Sequence, residues 1–344
     1  MSYRNGVTRL GHALGVGLAL SALVLTTAGC GGGGGASSEM SKEECEKYPE
    51  KEVELVIGRS PGGGYDEYGR FLAPLLKKRL GTNIVVKNED GAGGRVAASQ
   101  VYGADPDGYT IHITEPNGLA ALQVVQEVDY DLPKYTHLGL VNNRPSTFAV
   151  STKSDIKTFD DLVEAGKKKK KLKFANAGLT SPNFINGLIA SEQAGIKLTS
   201  VPHEGSSEAI TSLVRGDTDF TVFSGDSIAE AVDAGEVRAL AQFGSEPLDM
   251  LGDTPMAEDV GLGDLAGKLT TDLIFVAPPD LPSCVQKKLT KAVQGALNSD
   301  EFAAFGEKGR IVQPGTPAQQ RKLIKQSVSF YKQHADTYRK YLTR

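Results

Sequence analysis

Two glycine-rich segments contain the residues best suited to chemistry. They read PGGGYD at residues 61–66 and NEDGAGG at residues 88–94. Each follows a run rich in β-branched residues and precedes a helical pattern, so each is expected to join a strand to a helix. A loop without bulky side chains at a helix N-terminus directs free backbone N–H groups and the positive end of the helix dipole to one point. The two segments therefore predict an anion-binding site.

The same combination recurs in the second half of the chain. Residues 174–182 (FANAGLTSP) lead from a strand to a helix, with Pro182 suited to the first helical turn. Residues 223–227 (FSGDS) do the same, with Asp226 as the expected N-cap. His203 ends a further strand just before another helix. These junctions are predicted to supply a second set of ligand contacts.

Signatures of common enzyme classes are absent from the sequence. The first loop lacks the lysine of a phosphate-binding loop, and Val96 replaces the third small residue of a dinucleotide fingerprint. Neither G-x-S-x-G nor H-E-x-x-H occurs, and the histidines are scattered, so no metal site and no cofactor are predicted. We therefore expect a binding protein rather than an enzyme. An extracytoplasmic hydrolase that uses His203 or Ser224 is the alternative.

The elements that must position these loops alternate between strands and helices. This order predicts an α/β fold with mainly parallel sheets. The chain after residue 50 is long enough for two lobes. The strands TFAVS and LIFVA are natural crossings between them, which places lobe one at residues 51–149 plus 276–344 and lobe two at residues 150–275. Two crossings make a hinged cleft that loops of both lobes face. Helices are expected over residues 66–80, 94–103, 158–170, 182–194, 206–215 and 226–234.

The N-terminus carries export signals rather than part of the fold. Arg4 and Arg9 precede an apolar run that ends in small residues, a pattern typical of a secretory signal over residues 1–29. Cys30 directly after Ala-Gly resembles a lipobox, which predicts a lipid on Cys30, with ordinary signal cleavage as the alternative. Residues 30–50 are rich in glycine, serine and charges and predict a flexible tether. The folded part of the chain is thus expected to be attached through this tether to the outer (periplasmic) face of the cell membrane.

Charge and cysteine content set further limits. The whole chain has a formal net charge of −4, and loss of the signal leaves 36 basic and 42 acidic side chains, a net charge of −6. A nucleic-acid partner is therefore not expected. With Cys30 lipidated, Cys45 and Cys284 are left in an oxidising compartment. A disulfide between them and two free thiols are both open interpretations.

Three segments together resemble those of Bug-type substrate-binding proteins of tripartite tricarboxylate transporters: PGGGYDEYGR, VVKNEDGAGG and ADPDGYT. The similarity continues through KFANAG, SVPHEGSSEAI, GEVRALA, DTPMAEDVGL and FVAPPDLP, and it covers nearly all of the chain after the signal. The resemblance implies a type II periplasmic-binding-protein fold, which closes on a small carboxylate and delivers it to a two-component membrane permease. A monomer is expected. A sensor subunit that docks on a receptor kinase is an alternative that uses the same cleft.

The resemblance also implies which residues bind the ligand. In this family the two lobe-one loops hold a carboxylate largely through main-chain groups and water, which here implicates residues 62–64 and 92–94. Asp66 matches the family aspartate, and it is expected to order the loop and cap the helix without touching the anion. The expected ligand-binding residues are Pro61, Gly62, Gly63, Gly64, Asp66, Asn88, Ala92, Gly93, Gly94, Glu115, Ala177, Gly178, Ser181, His203, Ser224 and Asp226.

Several acidic residues depart from the family pattern. Asp90 stands where relatives often carry Arg-Pro, Glu204 stands where many have lysine, and Glu115 follows the third strand. Extra carboxylates near the site would repel a citrate-like trianion. A mono- or dicarboxylate is therefore favoured, and an amine on it could be met by Glu115 or Asp226. The alternative is that these acids face solvent.

Overall fold

A computed structural model of the protein describes residues 40–168 and 171–342. The predicted signal peptide, Cys30 and the first part of the predicted tether lie outside the described residues. The described part belongs to one compact unit. Within it, no helix is long and apolar enough to cross a membrane.

Helices and strands alternate along most of the described chain, as the sequence predicts. The α-helices are α1 (Lys42–Lys47), α2 (Gly64–Leu80), α3 (Arg95–Tyr102), α4 (Pro116–Val125), α5 (Phe159–Lys168), α6 (Pro182–Gln193), α7 (Ser206–Arg215), α8 (Gly225–Asp233), α9 (Ser283–Leu297), α10 (Asp300–Gly306), α11 (Pro317–Gln333) and α12 (Ala335–Leu342). The strands are β1 (Val53–Ile57), β2 (Ile84–Asn88), β3 (Thr110–Thr114), β4 (Thr136–Asn142), β5 (Ser146–Ser151), β6 (Leu172–Asn176), β7 (Leu198–Pro202), β8 (Phe220–Ser224), β9 (Val237–Gln242) and β10 (Leu273–Ala277).

Among the described residues the strands form two five-stranded sheets, ordered β2-β1-β3-β10-β4 and β7-β6-β8-β5-β9. In each sheet two strand pairs are parallel and two are antiparallel. The reversed strands are β10 and β5, by which the chain passes from one sheet to the other. The fold is thus α/β with two lobes, as predicted. The expectation of mainly parallel sheets is wrong, because each crossing strand enters its sheet in the reverse direction.

The predicted crossings TFAVS and LIFVA lie within β5 and β10. The chain leaves the first sheet after Asn142 and enters the second at Ser146, and it leaves the second after Gln242 and enters the first at Leu273. The lobe boundaries predicted from the sequence fall inside β5 and β10. How the chain divides into moving bodies stays a prediction.

Two buried elements, α4 and β4, carry no pattern that predicts them. Every residue of β4 is buried, and so is the run from Pro116 to Leu122 in α4. An element buried on all sides shows neither alternation nor a helical stripe, so its sequence has no period to detect. The six helices expected from the pattern correspond to α2, α3, α5, α6, α7 and α8, with ends that differ by two residues or fewer.

Helices cover both faces of the first sheet. One face packs against α2 and α9, in a buried cluster that includes Leu72 and Phe275. The other face packs against α3, α4 and α11, in a cluster that includes Leu119 and Val276. This second cluster continues into lobe two through Phe184 of α6. One continuous apolar core therefore joins the two sheets whose ends carry these loops.

The N-terminal segment is fastened to lobe one. The sulfur atoms of Cys45 and Cys284 are bonded, with their Cα atoms 5.9 Å apart, which is one of the two interpretations left open by the sequence. Nζ of Lys288 donates to the carbonyl oxygens of Cys45 at 2.6 Å and of Tyr48 at 2.8 Å. These bonds satisfy carbonyl groups at the end of α1, which have no partner inside the helix. The last part of the predicted tether is thus fixed to α9.

Candidate functional site

The first glycine loop lies between β1 and α2, at the carboxyl end of β1. Pro61 of this loop is exposed. The next residue, Gly62, has a φ of +83°, a backbone angle that residues other than glycine rarely adopt. Helix α2 begins at Gly64 with Gly63 as its N-cap, and no side chain of the described residues caps its first turn. The N–H groups of this turn are therefore available to a ligand.

Asp66 orders this loop from the first turn of α2. Its carboxylate accepts hydrogen bonds from N–H of Gly62 at 2.9 Å, from Nδ2 of Asn88 at 2.8 Å and from Nε of Arg70 at 2.8 Å. Burial alone would raise the pKa of Asp66, but these hydrogen bonds outweigh burial and lower it. Asp66 thus orders the loop as predicted. The prediction that it also caps α2 is wrong, because none of these donors is an N–H group of the helix.

The second glycine loop lies beside the first, because β1 and β2 are neighbours with Ile57 opposite Asn88. It forms a 3-10 turn over Ala92–Gly94, directly before α3. Gly93 and Gly94 have φ angles of +69° and +90°, which favour glycine at both positions. The two loops therefore present their main chains side by side, as the sequence predicts.

Asp90 connects the two loops. Its carboxylate accepts hydrogen bonds from N–H of Gly91 at 2.7 Å and from the hydroxyl of Ser60. The residue is exposed. This acid therefore faces solvent, as the alternative interpretation expected, and also holds the loops together.

Loops of the two lobes touch each other at the cleft. A Cβ built on Gly93 would lie 2.6 Å from both O and Oγ1 of Thr180. A Cβ built on Gly118 in α4 would lie 3.4 Å from Cδ of Pro182, which is the first residue of α6, as predicted. Such approaches need residues without side chains. The loops of the two lobes are therefore in direct contact at these points.

Ser181 and Asn183 order the lobe-two loop before and within the first turn of α6. Oγ of Ser181 caps the helix by accepting from N–H of Phe184 at 3.3 Å. Oδ1 of Asn183 accepts from Oγ of Ser181 at 2.6 Å and from N–H of Ala177 at 3.3 Å. Gly178 supplies the turn with a φ of +91°. Nδ2 of Asn183, by contrast, is buried without a partner among the described residues.

Glu115 is the side-chain cap of α4. Its Oε1 accepts from N–H of Asn117 at 2.5 Å, and its Oε2 accepts from N–H of Gly118 at 2.9 Å. The residue is only 2% exposed. Burial raises the pKa of Glu115 to about 8, against the opposing effects of Arg59 and of these N–H groups. Glu115 therefore does not face solvent, and its contact with a ligand amine stays a prediction.

Arg144 is a buried cation that the sequence analysis missed. It lies between β4 and β5, where the chain crosses between the lobes, and its side chain is 5% exposed. Nε and Nη2 donate to the carboxylate of Asp226 at distances from 3.0 to 3.2 Å, and Nη2 also donates to Oγ of Ser224 at 2.8 Å. Burial would lower the pKa of Arg144, but Asp226 and Tyr68 outweigh it and raise the pKa. The guanidinium is therefore charged.

Ser224 and Asp226 hold this guanidinium from lobe two. Helix α8 begins at Gly225 with Ser224 as its N-cap, so the predicted N-cap role of Asp226 is wrong. The carboxylate of Asp226 instead accepts hydrogen bonds from the guanidinium of Arg144, because two buried charges of opposite sign stabilise each other. The hydroxyl of Tyr68, from α2 in lobe one, lies 3.4 Å from Oδ2 of Asp226. The pair is therefore in contact with both lobes.

His203 follows β7 and is half-buried. Its N–H donates to the carbonyl oxygen of Asn176 at 2.7 Å, while its Nε2 is buried with no partner in the described part of the chain. Oγ of Ser224 bonds to Oγ of Ser227 at 2.8 Å and to Arg144. A hydrogen-bonded Ser–His pair, which activates a serine nucleophile, is thus not formed by the described residues.

Arg59 is a second cation that the sequence analysis missed. Its guanidinium carbon lies 5.0 Å from the centroid of the Tyr65 ring, and its Nη1 donates to the carbonyl oxygen of Gly58 at 2.8 Å. A side chain at Gly94 would collide with Nη1, so Arg59 lies between the two glycine loops. Its position beside the first loop in sequence is the signal that could have found it. Arg144 is far from both loops in sequence and needs the fold to be found.

A surface cavity of about 460 Å³ lies elsewhere, between α4, α11 and α12. Polar and charged side chains such as Lys332, Asp336 and Arg339 line it, and it contains none of the predicted ligand-binding residues. No group of histidine, cysteine, aspartate and glutamate side chains in the described residues could hold a metal ion. The candidate site is therefore the edge where the glycine loops, Arg144 and the start of α8 meet, and its N–H groups and guanidinium suit an anion.

Comparisons with known proteins identify the family. The family model described as "Tripartite tricarboxylate transporter family receptor" matches residues 69–334. A UPF0065 protein of Agrobacterium vitis, from the TAR-I ttuE-ttuC' intergenic region, is 29% identical over 279 residues, which cover 79% of this chain and 80% of that protein.

Two solved structures share the fold. The periplasmic binding protein BugD is 26% identical with a TM-score of 0.75, over 85% of this chain and 98% of that chain. MatC from Rhodopseudomonas palustris, solved with bound malate, is 25% identical with a TM-score of 0.76, over 84% of this chain and 100% of that chain. Because the family model matches well over half of the sequence, this chain belongs to the receptor family of the tripartite tricarboxylate transporters.

Proposed function

We propose that this protein is an extracytoplasmic receptor that binds a small carboxylate between its two lobes and delivers it to a two-component membrane permease. The observation that carries the proposal is the open N-terminus of α2, which has no side-chain cap among the described residues. The charged guanidinium of Arg144 lies beside it, since a Cβ on Gly64 would be 3.8 Å from Nη2. A helix N-terminus next to a cation favours an anion. The malate bound to MatC supports a carboxylate as that anion.

Main-chain groups of the two glycine loops are the proposed carboxylate ligands in lobe one. The net charge of −6 after signal removal does not oppose this, because N–H groups and helix termini set the local field. Asp226 is already paired with Arg144, so it is a poor partner for a ligand amine. Glu115 is left for that role, and the rise of its pKa to about 8 weakens it as a counter-ion. A carboxylate without an amine therefore fits this cleft best.

Closure of the cleft is proposed to follow from the two crossings between the lobes. Contacts such as that of Gly93 with Thr180 favour a closed arrangement, and hinge motion about the crossings would admit the ligand. The closed form is the proposed signal to the permease, since only that form brings the loops of both lobes together.

Attachment to the membrane through a lipid on Cys30 completes the proposal. Mass spectrometry of the mature N-terminus and fractionation of a Cys30→Ala variant test it. We expect a lipid-modified N-terminal cysteine in the wild type and release of the variant from the membrane fraction. An unmodified N-terminus at another residue would contradict the anchor and leave the ligand site unaffected.

Binding is tested by isothermal titration calorimetry with malate and with the unbranched dicarboxylates from malonate to adipate. The wild type is expected to bind at least one of them, and the ligand should be recovered unaltered. The variant Gly63→Val should weaken binding at least tenfold, because the new side chain stands at the N-cap where the carboxylate approaches. Space is available for it, since the nearest atom to a Cβ there is the Ser60 oxygen at 3.9 Å.

A matched control is Gly103→Val, at the C-terminal end of α3. Gly103 has a φ of −91°, and a Cβ there would lie 3.6 Å from the oxygen of Ser99. This change should leave the affinity within twofold of the wild type. Absence of binding by every dicarboxylate, or equal affinities of the wild type and Gly63→Val, would contradict the proposal.

A further inference from the structure

One edge of the Arg144 guanidinium is fully occupied by lobe two. Nε and Nη2 face the carboxylate of Asp226, and Nη2 also donates to Oγ of Ser224 at 2.8 Å and to Oγ of Ser227 at 3.2 Å. These three residues together fix the plane of the group. Its orientation is therefore set before any ligand arrives.

The other edge of the same guanidinium has no hydrogen-bond acceptor. Among the described residues Nη1 has no hydrogen-bond partner. The rings of Tyr65 and Tyr68 lie beside the guanidinium, with centroids 5.9 and 5.7 Å from its carbon atom. A guanidinium carries five N–H donors, and two of them are on Nη1. Nη1 is not among the enclosed polar atoms that lack a partner, so solvent or a ligand can reach it. This edge is thus prepared for an acceptor that the polypeptide does not supply.

The guanidinium lies next to the open end of α2, on the side of Nη2. A Cβ built on Gly64, the first residue of that helix, would be 3.8 Å from Nη2. Helix α8, which carries Asp226, also begins without a side-chain cap. Donors from a helix N-terminus and from a fixed guanidinium therefore converge on one position between the lobes. The two N–H groups of Nη1 remain as donors, and a charged donor forms a strong hydrogen bond to a carboxylate oxygen.

From this geometry we propose that Arg144 binds one carboxylate of the ligand directly through Nη1, and that Asp226, Ser224 and Ser227 hold it in position for this purpose. The proposal rests on the proposed function and deepens it, because it assigns recognition of the ligand charge to a side chain in addition to the main-chain loops. Asp226 neutralises the empty site, so an entering carboxylate gains the guanidinium edge without displacing a counter-ion. The ligand class is a carboxylate whose ionised oxygens accept from both the α2 end and Arg144.

The test measures dicarboxylate affinity by calorimetry and stability by thermal unfolding for the wild type and three variants. Arg144→Lys keeps a charge that can pair with Asp226 but removes the Nη1 donors. Arg144→Gln combined with Asp226→Asn removes both charges, so that no unpaired charge is left buried if the first variant fails to fold. Arg215→Lys makes the same exchange at an exposed position at the end of α7 and serves as the control. The probes are malonate, succinate, glutarate and adipate.

Loss of a charge-assisted contact should weaken the tightest of these probes about ten- to a hundred-fold in Arg144→Lys and in the double variant. The control should stay within about threefold, since Arg215 is exposed and is not one of the proposed ligand contacts. A folded Arg144 variant of either kind that binds within twofold of the wild type would overturn the role of Arg144, while the wild type would still bind. If no probe binds to the wild type, the proposed function itself fails.

Discussion

The helices α4 and α2 follow neighbouring parallel strands of one sheet, yet they differ in whether a side chain accepts hydrogen bonds from the N–H groups of the first turn. In α4 the carboxylate of Glu115 accepts from Asn117 and Gly118. In α2 the N-cap is Gly63, and the described residues supply no side-chain cap. The start of α4 is closed by a carboxyl group of the chain itself. The start of α2 is available to a carboxylate from outside.

Lobe two repeats this contrast. Ser181 caps α6, whereas α8 begins without a side-chain cap among the described residues and lies against Arg144. A glycine-rich junction is thus not by itself a ligand site. The capped helix ends have their N–H groups satisfied by the chain itself and stabilise the fold. The uncapped helix ends are the candidates for ligand binding.

Removing the cap of α4 should have the largest effect on stability. Glu115→Ala leaves two buried N–H groups without an acceptor and is expected to lower the free energy of unfolding by about 2–4 kcal/mol. Glu115→Gln retains an acceptor at the same place and should lose less. Urea unfolding of the three proteins at one pH measures this order. Equal stability of Glu115→Ala and the wild type would show that the cap contributes nothing.

The pH dependence of stability follows from the same carboxyl group. The pKa of Glu115 is raised to about 8 in the folded protein from an ordinary value of 4.5, so between these values the folded state holds a proton that the unfolded state releases. Rising pH therefore favours unfolding through this window, by at most about 1.4 kcal/mol per pH unit.

Urea titrations between pH 7 and 8 check this slope, because Asp272, the other buried acid with a raised pKa, has a pKa of about 6 and is mostly ionised in that range. Glu115→Gln should flatten the slope relative to the wild type. An unchanged slope in that variant would assign the pH dependence to other groups.

The cap of α6 should contribute less than that of α4. Ser181→Ala removes an acceptor for N–H of Phe184 and a donor to the carbonyl oxygen of Gly178. We expect a loss of about 1 kcal/mol, as is typical of a serine N-cap. Ser181→Asn retains capping ability and is the matched control in the same unfolding experiment. A loss equal to that of Glu115→Ala would remove the distinction between the two caps.

The sequence could predict the local parts of this arrangement. Strand–loop–helix junctions have short-range signals, so both glycine loops, the first turn of α6 at Pro182 and the bounds of six helices follow from residue types and spacing. The resemblance to a family then suggested the fold. The sequence does not predict that β5 and β10 are antiparallel to their neighbours. Their direction depends on how the chain crosses between the two sheets, and no local pattern indicates this.

The long-range parts of the site could not be predicted in this way. The side chain of Arg144 is held by Asp226, which lies 82 positions further along the chain. This ion pair forms only when the chain has folded and brought the two residues together. The same ion pair explains why Asp226 does not cap α8. Whether a helix end is open or capped also depends on side-chain directions, so the sequence marks Glu115 as a departure from the family pattern but does not show that it caps α4.

The most direct measurement is the dicarboxylate affinity of Gly63→Asp, which gives α2 the kind of carboxylate cap that α4 already has. The backbone at Gly63, with φ −85° and ψ 170°, suits an aspartate N-cap. Gly103→Asp, at the far end of α3, adds the same charge and serves as the control. We predict that Gly63→Asp stays as stable as the wild type or gains a few tenths of a kcal/mol, and that it loses at least tenfold in affinity while the control binds within twofold. Wild-type affinity in Gly63→Asp would contradict the claim that the open end of α2 binds the ligand.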